Sequence, residues 1–168
     1  MKTRLLSIFA IATLALVSCK KTESAVPAEP GTATIEGILK APIDLGNDTT
    51  ASGVFINGYN NEFVPAGTQI TAIVDSEDLQ KDPQSGFTYE KLKFTTVVGA
   101  NGEFSFTDIP CFANSIDVEL RFNDFTAMQS QFDPSNNPPQ NKIFTLSNKY
   151  VEVYDGAIVI KEYDYTAN

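Results

Sequence analysis

The chain has 168 residues, with 12 Lys plus Arg against 21 Asp plus Glu and no histidine, which excludes Ser-His-Asp and Cys-His triads, histidine general bases and histidine-rich zinc sites. A formal net charge of −9 also speaks against nucleic acid as a partner, because binding to its backbone depends on clustered Lys and Arg that release counterions. Carboxylate or lysine chemistry, a calcium site, or no catalysis at all remain.

At the N-terminus, Lys2 and Arg4 precede an apolar run from Leu5 to Val17 broken only by Ser7 and Thr13. A bilayer-spanning helix needs roughly 20 apolar residues, whereas a basic start followed by about 7 to 15 apolar residues describes a secretory signal. Leu16-Val17-Ser18-Cys19 resembles the bacterial lipoprotein signal. That resemblance implies cleavage after residue 18 and a lipidated Cys19, with the bacterial cell envelope, and there the outer membrane, as location and the membrane itself as a partner through the anchor. Several acyl chains, each worth about 0.8 kcal/mol per buried methylene, hold a protein far more firmly than one. Lys20 and Lys21 would add contacts to anionic headgroups, and loss of Lys2 and Arg4 with the signal deepens the net charge from −9 to −11.

Residues 19–31 combine Pro27, Pro30 and Gly31 with small and charged side chains and read as a flexible tether, with a reach of at most roughly 40 Å when extended. From residue 32 to 168 the sequence reads as one domain, written mostly in period two. Ala33, Ile35, Gly37 and Leu39 share one side of the first predicted strand. A second runs from Thr68 to Val74, and Val54–Ile56 is a candidate short piece. Gly46–Gly53 and Asp75–Gly86 read as loops. Between Tyr89 and Val98, Leu92, Phe94, Thr96 and Val98 oppose Lys91 and Lys93. Asn101-Gly102 then predicts a hairpin into Glu103–Thr107, where Phe104 and Phe106 point together.

Ile116, Val118, Leu120 and Phe122 alternate with Asp117, Glu119 and Arg121. Phe125, Met128 and Phe132 recur at near-helical spacing and predict one or two helical turns within Asn123–Asp133. Further strands are expected at Lys142–Ser147, Tyr150–Tyr154 and Ala157–Lys161, with turns at Asn148-Lys149 and Asp155-Gly156. The pattern predicts a single antiparallel β-sandwich of about seven to eight strands.

Two motifs carry a family resemblance. Val98-Gly99-Ala100-Asn101-Gly102-Glu103-Phe104-Ser105-Phe106-Thr107-Asp108-Ile109-Pro110 resembles the stretch of carboxypeptidase-regulatory-like and transthyretin-like domains where an Asx-Gly turn leads to an aromatic strand and an Ile/Leu-Pro corner. Ala33 to Leu39 is similar to their opening strand, with glycine two residues after the first core aliphatic. The resemblance implies an all-β, Greek-key, prealbumin-like sandwich acting as a structural or binding module. Together with Cys19 it also resembles small lipoproteins of Bacteroidetes envelopes.

Candidate sites follow from what composition leaves. Cys111, after Ile109-Pro110 and before Phe112, reads as a buried small hydrophobe. Asp75, Glu77 and Asp78 crowd a strand end and read as solvated loop residues ahead of a calcium site or a catalytic carboxylate pair, since no twelve-residue calcium loop is present. No catalytic residue, metal or cofactor is expected. Tyr150, Glu152 and Tyr154 share one face opposite Val151 and Val153; Tyr163 and Tyr165 share another, and Tyr59 sits in an Asn-Gly-Tyr-Asn-Asn loop. Packing across strands explains such tyrosines most simply. If exposed, Tyr59, Tyr150, Glu152 and Tyr154 form a candidate binding surface for an envelope protein or, alternatively, a glycan.

Overall fold

The computed structural model describes residues 29–133 and 136–168. Cys19, the signal and most of the tether lie outside the described residues. The protein is all-β. Its strands, in chain order, are β1 (Gly31–Ala41), β2 (Glu62–Phe63), β3 (Gln69–Asp75), β4 (Lys91–Val97), β5 (Glu103–Cys111), β6 (Ile116–Phe122), β7 (Phe125–Gln129), β8 (Gln140–Thr145), β9 (Lys149–Val153), β10 (Ile158–Asp164) and β11 (Thr166–Ala167). This exceeds the seven or eight expected, partly because β2 and β11 have two residues each.

They form three sheets. One runs β4-β3-β6-β9, a second runs β10-β1-β2 with β5 also on β1, and a third runs β11-β8-β7. All ladders are antiparallel except β1–β10, in which Thr34 to Lys40 run parallel to Ile158 to Asp164. β1 includes Gly31, which pairs with Cys111, so the sandwich takes up the last residue assigned to the tether.

Period-two patterning decides which faces meet. Ala33, Ile35, Leu39 and Ala41 of β1 and Ile70, Ala72 and Val74 of β3 are buried. Phe104, Phe106, Ile109 and Cys111 of β5, Ile116 to Phe122 at alternate positions of β6, and Val151 and Val153 of β9 join the same core. Each fully buried aliphatic or aromatic side chain contributes about 1.5–3 kcal/mol relative to exposure.

Two predicted connections turn out differently. Asn101-Gly102 does form a turn, with the Gly102 N–H donating to the Gly99 carbonyl at 3.2 Å and the Gly99 N–H to the Glu103 carbonyl at 2.8 Å. It is not a hairpin, because β4 pairs with β3 and β5 with β1. The Asx-Gly signal encodes the reversal, while the ladder partner is set by β1, whose Leu39 N–H donates to the Gly102 carbonyl at 2.9 Å. The helical turns expected within Asn123–Asp133 are instead β7. Phe125 and Ala127 are half-buried and Gln129 buried, with Thr126 and Met128 exposed, and pairing with β8 satisfies the backbone. The ring of Phe125 stacks on Phe144 at 4.9 Å.

Further along β5, Ala33↔Ile109 and Ile35↔Phe106 leave two β5 residues opposite Thr34. This is a bulge, and Asp108 accommodates it in the left-handed region at φ 59°, a conformation that Asp tolerates better than most residues.

Near the C-terminus Tyr165 is 1% exposed. Its hydroxyl donates to the Asn123 carbonyl at 2.9 Å, its N–H to the Lys40 carbonyl at 2.8 Å, and its ring meets Phe125 at 5.1 Å. Burial pushes its phenol well above the ordinary range. Replacing Tyr165 by Phe should lower stability by about 1 kcal/mol in urea denaturation, the net worth of one hydrogen bond, with the Asn123 carbonyl left bare. At Gly37 an added Cβ would stand 2.6 Å from the Phe104 ring and clash with the Lys161 carbonyl. Gly37→Ala should therefore cost about 1–3 kcal/mol, with Phe104→Leu giving only partial rescue because the backbone clash persists.

Candidate functional site

β9 is an edge strand. It pairs with β6 through Ile116↔Val153, Asp117↔Glu152, Val118↔Val151, Glu119↔Tyr150 and Leu120↔Lys149, and with no other strand among the described residues. Because Val151 and Val153 are held in the core, the intervening side chains must face out. Tyr150 is 69% and Tyr154 55% exposed, and Glu152 between them is exposed as well. The outward Tyr-Glu-Tyr stripe read from the sequence is present.

Its neighbours are charged. Glu119, opposite Tyr150, accepts from Arg121 Nε at 2.9 Å and from the second guanidinium nitrogen at 3.0 Å. Asn148 Nδ2 donates to the same carboxylate at 2.7 Å. The Arg121 hydrogen bonds hold the Glu119 carboxyl below the usual glutamate range. Asp117 and Glu152 stand directly opposite each other, and none of the ion pairs of the described residues, Lys40–Glu162, Lys91–Asp75 and Arg121–Glu119, includes either. Glu152 and Tyr154 also line a shallow depression with Ala113 and Ser115.

Tyr59 does not join this surface. Its loop is held by buried Asp48, whose carboxylate accepts from the Gly58 N–H at 2.7 Å and the Asn60 N–H at 2.8 Å. Asn61 Nδ2 ties it to Asp164 at 2.7 Å, so Tyr59, 57% exposed, belongs to the Lys40–Asp164 end of the β1–β10 ladder. Tyr154 lies at the other end, where the Gly156 N–H bonds the Thr32 carbonyl at 2.9 Å. Eight residues of strand separate Thr32 from Lys40, roughly 25 Å. Tyr163 and Tyr165, which share a face, pack inward as the simplest reading of such tyrosines expects. They pack on Phe122 with ring centroids at 5.5 and 6.4 Å, and burial raises the Tyr163 phenol.

The acidic loop is organised by lysine. Asp75 pairs with Lys91 at 2.6 Å and accepts the Glu77 N–H at 3.1 Å, and the lysine bond lowers its carboxyl. Partial burial, with Asp75 and Asp117 nearby, raises Asp78. Among the described residues no group of three or more His, Cys, Asp or Glu is placed to hold a metal ion. Cys111 is fully buried, and burial pushes its thiol up and away from nucleophilic reactivity. The Glu119–Arg121–Asn148 clamp and the Asp117–Glu152 opposition escaped the sequence reading. Alternation in Ile116–Phe122 marks their face, but register decides their neighbours.

No protein-family model matches the chain, and no curated protein matches it. Among solved structures, the minor pilin GBS52 of Streptococcus agalactiae is 9% identical at a TM-score of 0.43, over 83% of this chain and 46% of that one; this chain thus spans about half the pilin's length. The major plantain pollen allergen Pla l 1 is 12% identical at a TM-score of 0.37, over 82% and 95% of the two chains. A candidate carbohydrate-binding protein of Pseudomonas aeruginosa is 17% identical at 0.34, over 83% and 90%.

Because Arg121 depresses the Glu119 carboxyl, their pair stabilises the fold above the ordinary glutamate range and loses that contribution as pH falls through the lowered value. Arg121→Gln should thus move the Glu119 carboxyl titration, followed by carbon NMR, to higher pH, and its stability deficit should be largest near neutrality and vanish in acid. Asp48→Ala should cost about 2–4 kcal/mol by orphaning two backbone donors, with faster amide exchange at Gly58 and Asn60.

Proposed function

We propose that this chain is a lipid-anchored, non-catalytic module of a bacterial envelope, held at the outer membrane through Cys19 and serving a structural or protein-binding role. The observation that carries the binding part is the exposed Tyr150–Glu152–Tyr154 stripe on an edge strand whose other face is locked into the core. Tyrosine offers large amphipathic contact at low entropy cost, and a rigid sheet presents it without reorganisation. The anchoring part rests on Leu16-Val17-Ser18-Cys19 at the end of an apolar run too short to span. The tether would lift the sandwich clear of the headgroups, leaving β9 accessible. Membership of the carboxypeptidase-regulatory-like or transthyretin-like group belongs to the same proposal.

A second reading, glycan binding, is favoured by the depression in which Tyr154 adjoins Glu152 and Ser115, a ring beside a carboxylate and a hydroxyl, the combination that stacks on and hydrogen-bonds a sugar. A glycan array separates the readings: binding that is lost in Tyr154→Ala supports the sugar, and a blank array the protein-binding role.

Wild-type protein should partition into detergent and carry acyl mass on residue 19, and Cys19→Ser should leave an uncut, unlipidated precursor. An unmodified Cys19 in mature envelope protein would remove the anchor from the proposal.

A further inference from the structure

The two larger sheets have five outer strands, β2, β4, β5, β9 and β10; β2 is only two residues long, and three of the others are guarded against adding another strand. β4 turns Lys91 and Lys93 outward, a charge pattern that blunts edges. β5 carries the bulge opposite Thr34 and Pro110, which break its ladder geometry. In β10, Lys161 falls in the series of Val159 and Tyr163, the half-buried side of the strand, and a charge in that series opposes a further strand. Within Tyr150–Val153, β9 has no lysine, no proline and no bulge, and its one outward charge is Glu152. Its one lysine, Lys149, is its first residue and rests 5.8 Å above the Tyr163 ring.

On the outward face of this open edge, Asp117 and Glu152 oppose each other. Like charges directly across an antiparallel ladder are destabilising, and no ion pair among the described residues relieves them. A cation from outside would. A second copy of this chain is a poor source, since each copy brings a net charge of −9. The inward side of a strand laid beside β9 would continue the row of Val151 and Val153 and favour apolar side chains. The outward side would meet Tyr150, Glu152 and Tyr154 and favour basic ones.

We propose that β9 accepts an extended segment of another protein as the fifth strand of its sheet, with Lys or Arg alternating with aliphatic residues, its cations beside Glu152 and reaching across β9 toward Asp117, and its aliphatic stems against Tyr150 and Tyr154. The inference rests on the protein-binding reading above and specifies its surface and partner chemistry. Backbone pairing supplies the attachment and the alternating side chains the selectivity.

The test uses the full chain in detergent and synthetic peptides of about ten residues, followed by backbone amide NMR and fluorescence anisotropy at low salt. The alternating Lys–Val peptide should shift the amides of Tyr150 to Val153. Its analogue N-methylated at alternate residues, which keeps the charge but loses ladder donors, should bind at least about tenfold more weakly, as should a block peptide of the same composition. Asp117→Asn with Glu152→Gln should weaken binding about tenfold without lowering the thermal midpoint, because that double change removes a like-charge contact. Equal binding of the N-methylated or block peptide, shifts centred on β4 or β10, an indifferent double variant, or no binding would each overturn the inference. Those results leave the broader module reading to the glycan array and the detergent partition, so failure of one is distinguishable from failure of the other.

Discussion

The close approach at Gly37 constrains the rest of the sandwich. β1 is flanked by β10 on one side and by β5 and β2 on the other, and at its middle the absence of a Cβ lets the Phe104 ring and the Lys161 carbonyl close in. That contact fixes β5 against β1 in antiparallel register and β10 against β1 in parallel register. With β1 seated, the alternation of Ala33, Ile35, Leu39 and Ala41 presents a continuous apolar face. β3, β6 and β9 cover it with Ile70, Val118, Leu120 and Val151.

Closure of the sandwich accounts for the orientation of the candidate surface. Val151 and Val153 are committed inward, so Tyr150, Glu152 and Tyr154 have no inward option. The strand ends are fastened separately: the Asp155 N–H bonds the Phe112 carbonyl at 2.9 Å at one end, and Lys149 sits over Tyr163 at the other. A short strand pinned at both ends and open along one edge is preorganised for binding, which reduces the ordering cost a partner must meet. Its electrostatics are not self-satisfied, since Arg121 and Asn148 are occupied by Glu119 while Asp117 and Glu152 face each other. Natural sequences commonly depart from local optimality where a surface is used.

Much of this was legible in the sequence, and the missing parts share a cause. The faces of β1, β4, β6 and β9 follow from period-two alternation, which is local. The partner of each strand is not local, which is why Asn101-Gly102 announced a turn correctly but a hairpin wrongly, and why the parallel β1–β10 ladder left no signature. Phe125, Met128 and Phe132 imitated a helical period because only Phe125 turns toward the core; Met128 and Phe132 are exposed. Tyr150 and Tyr154 were placed correctly because valines fixed their parity. Tyr59 was separated from them by long-range packing that no spacing encodes, the same packing that buries Tyr165 and half-buries Tyr163.

On our proposal, the envelope-anchored module engages its partner along β9. Amide hydrogen exchange of the chain in native envelope membranes, compared with the same chain purified in detergent, tests it most directly. A partner strand paired along β9 predicts slower exchange in membranes, confined to amides of Tyr150 to Val153, with β4 and β10 unchanged. Identical β9 exchange in the two settings, or protection appearing along β4 or β10 instead, would contradict it.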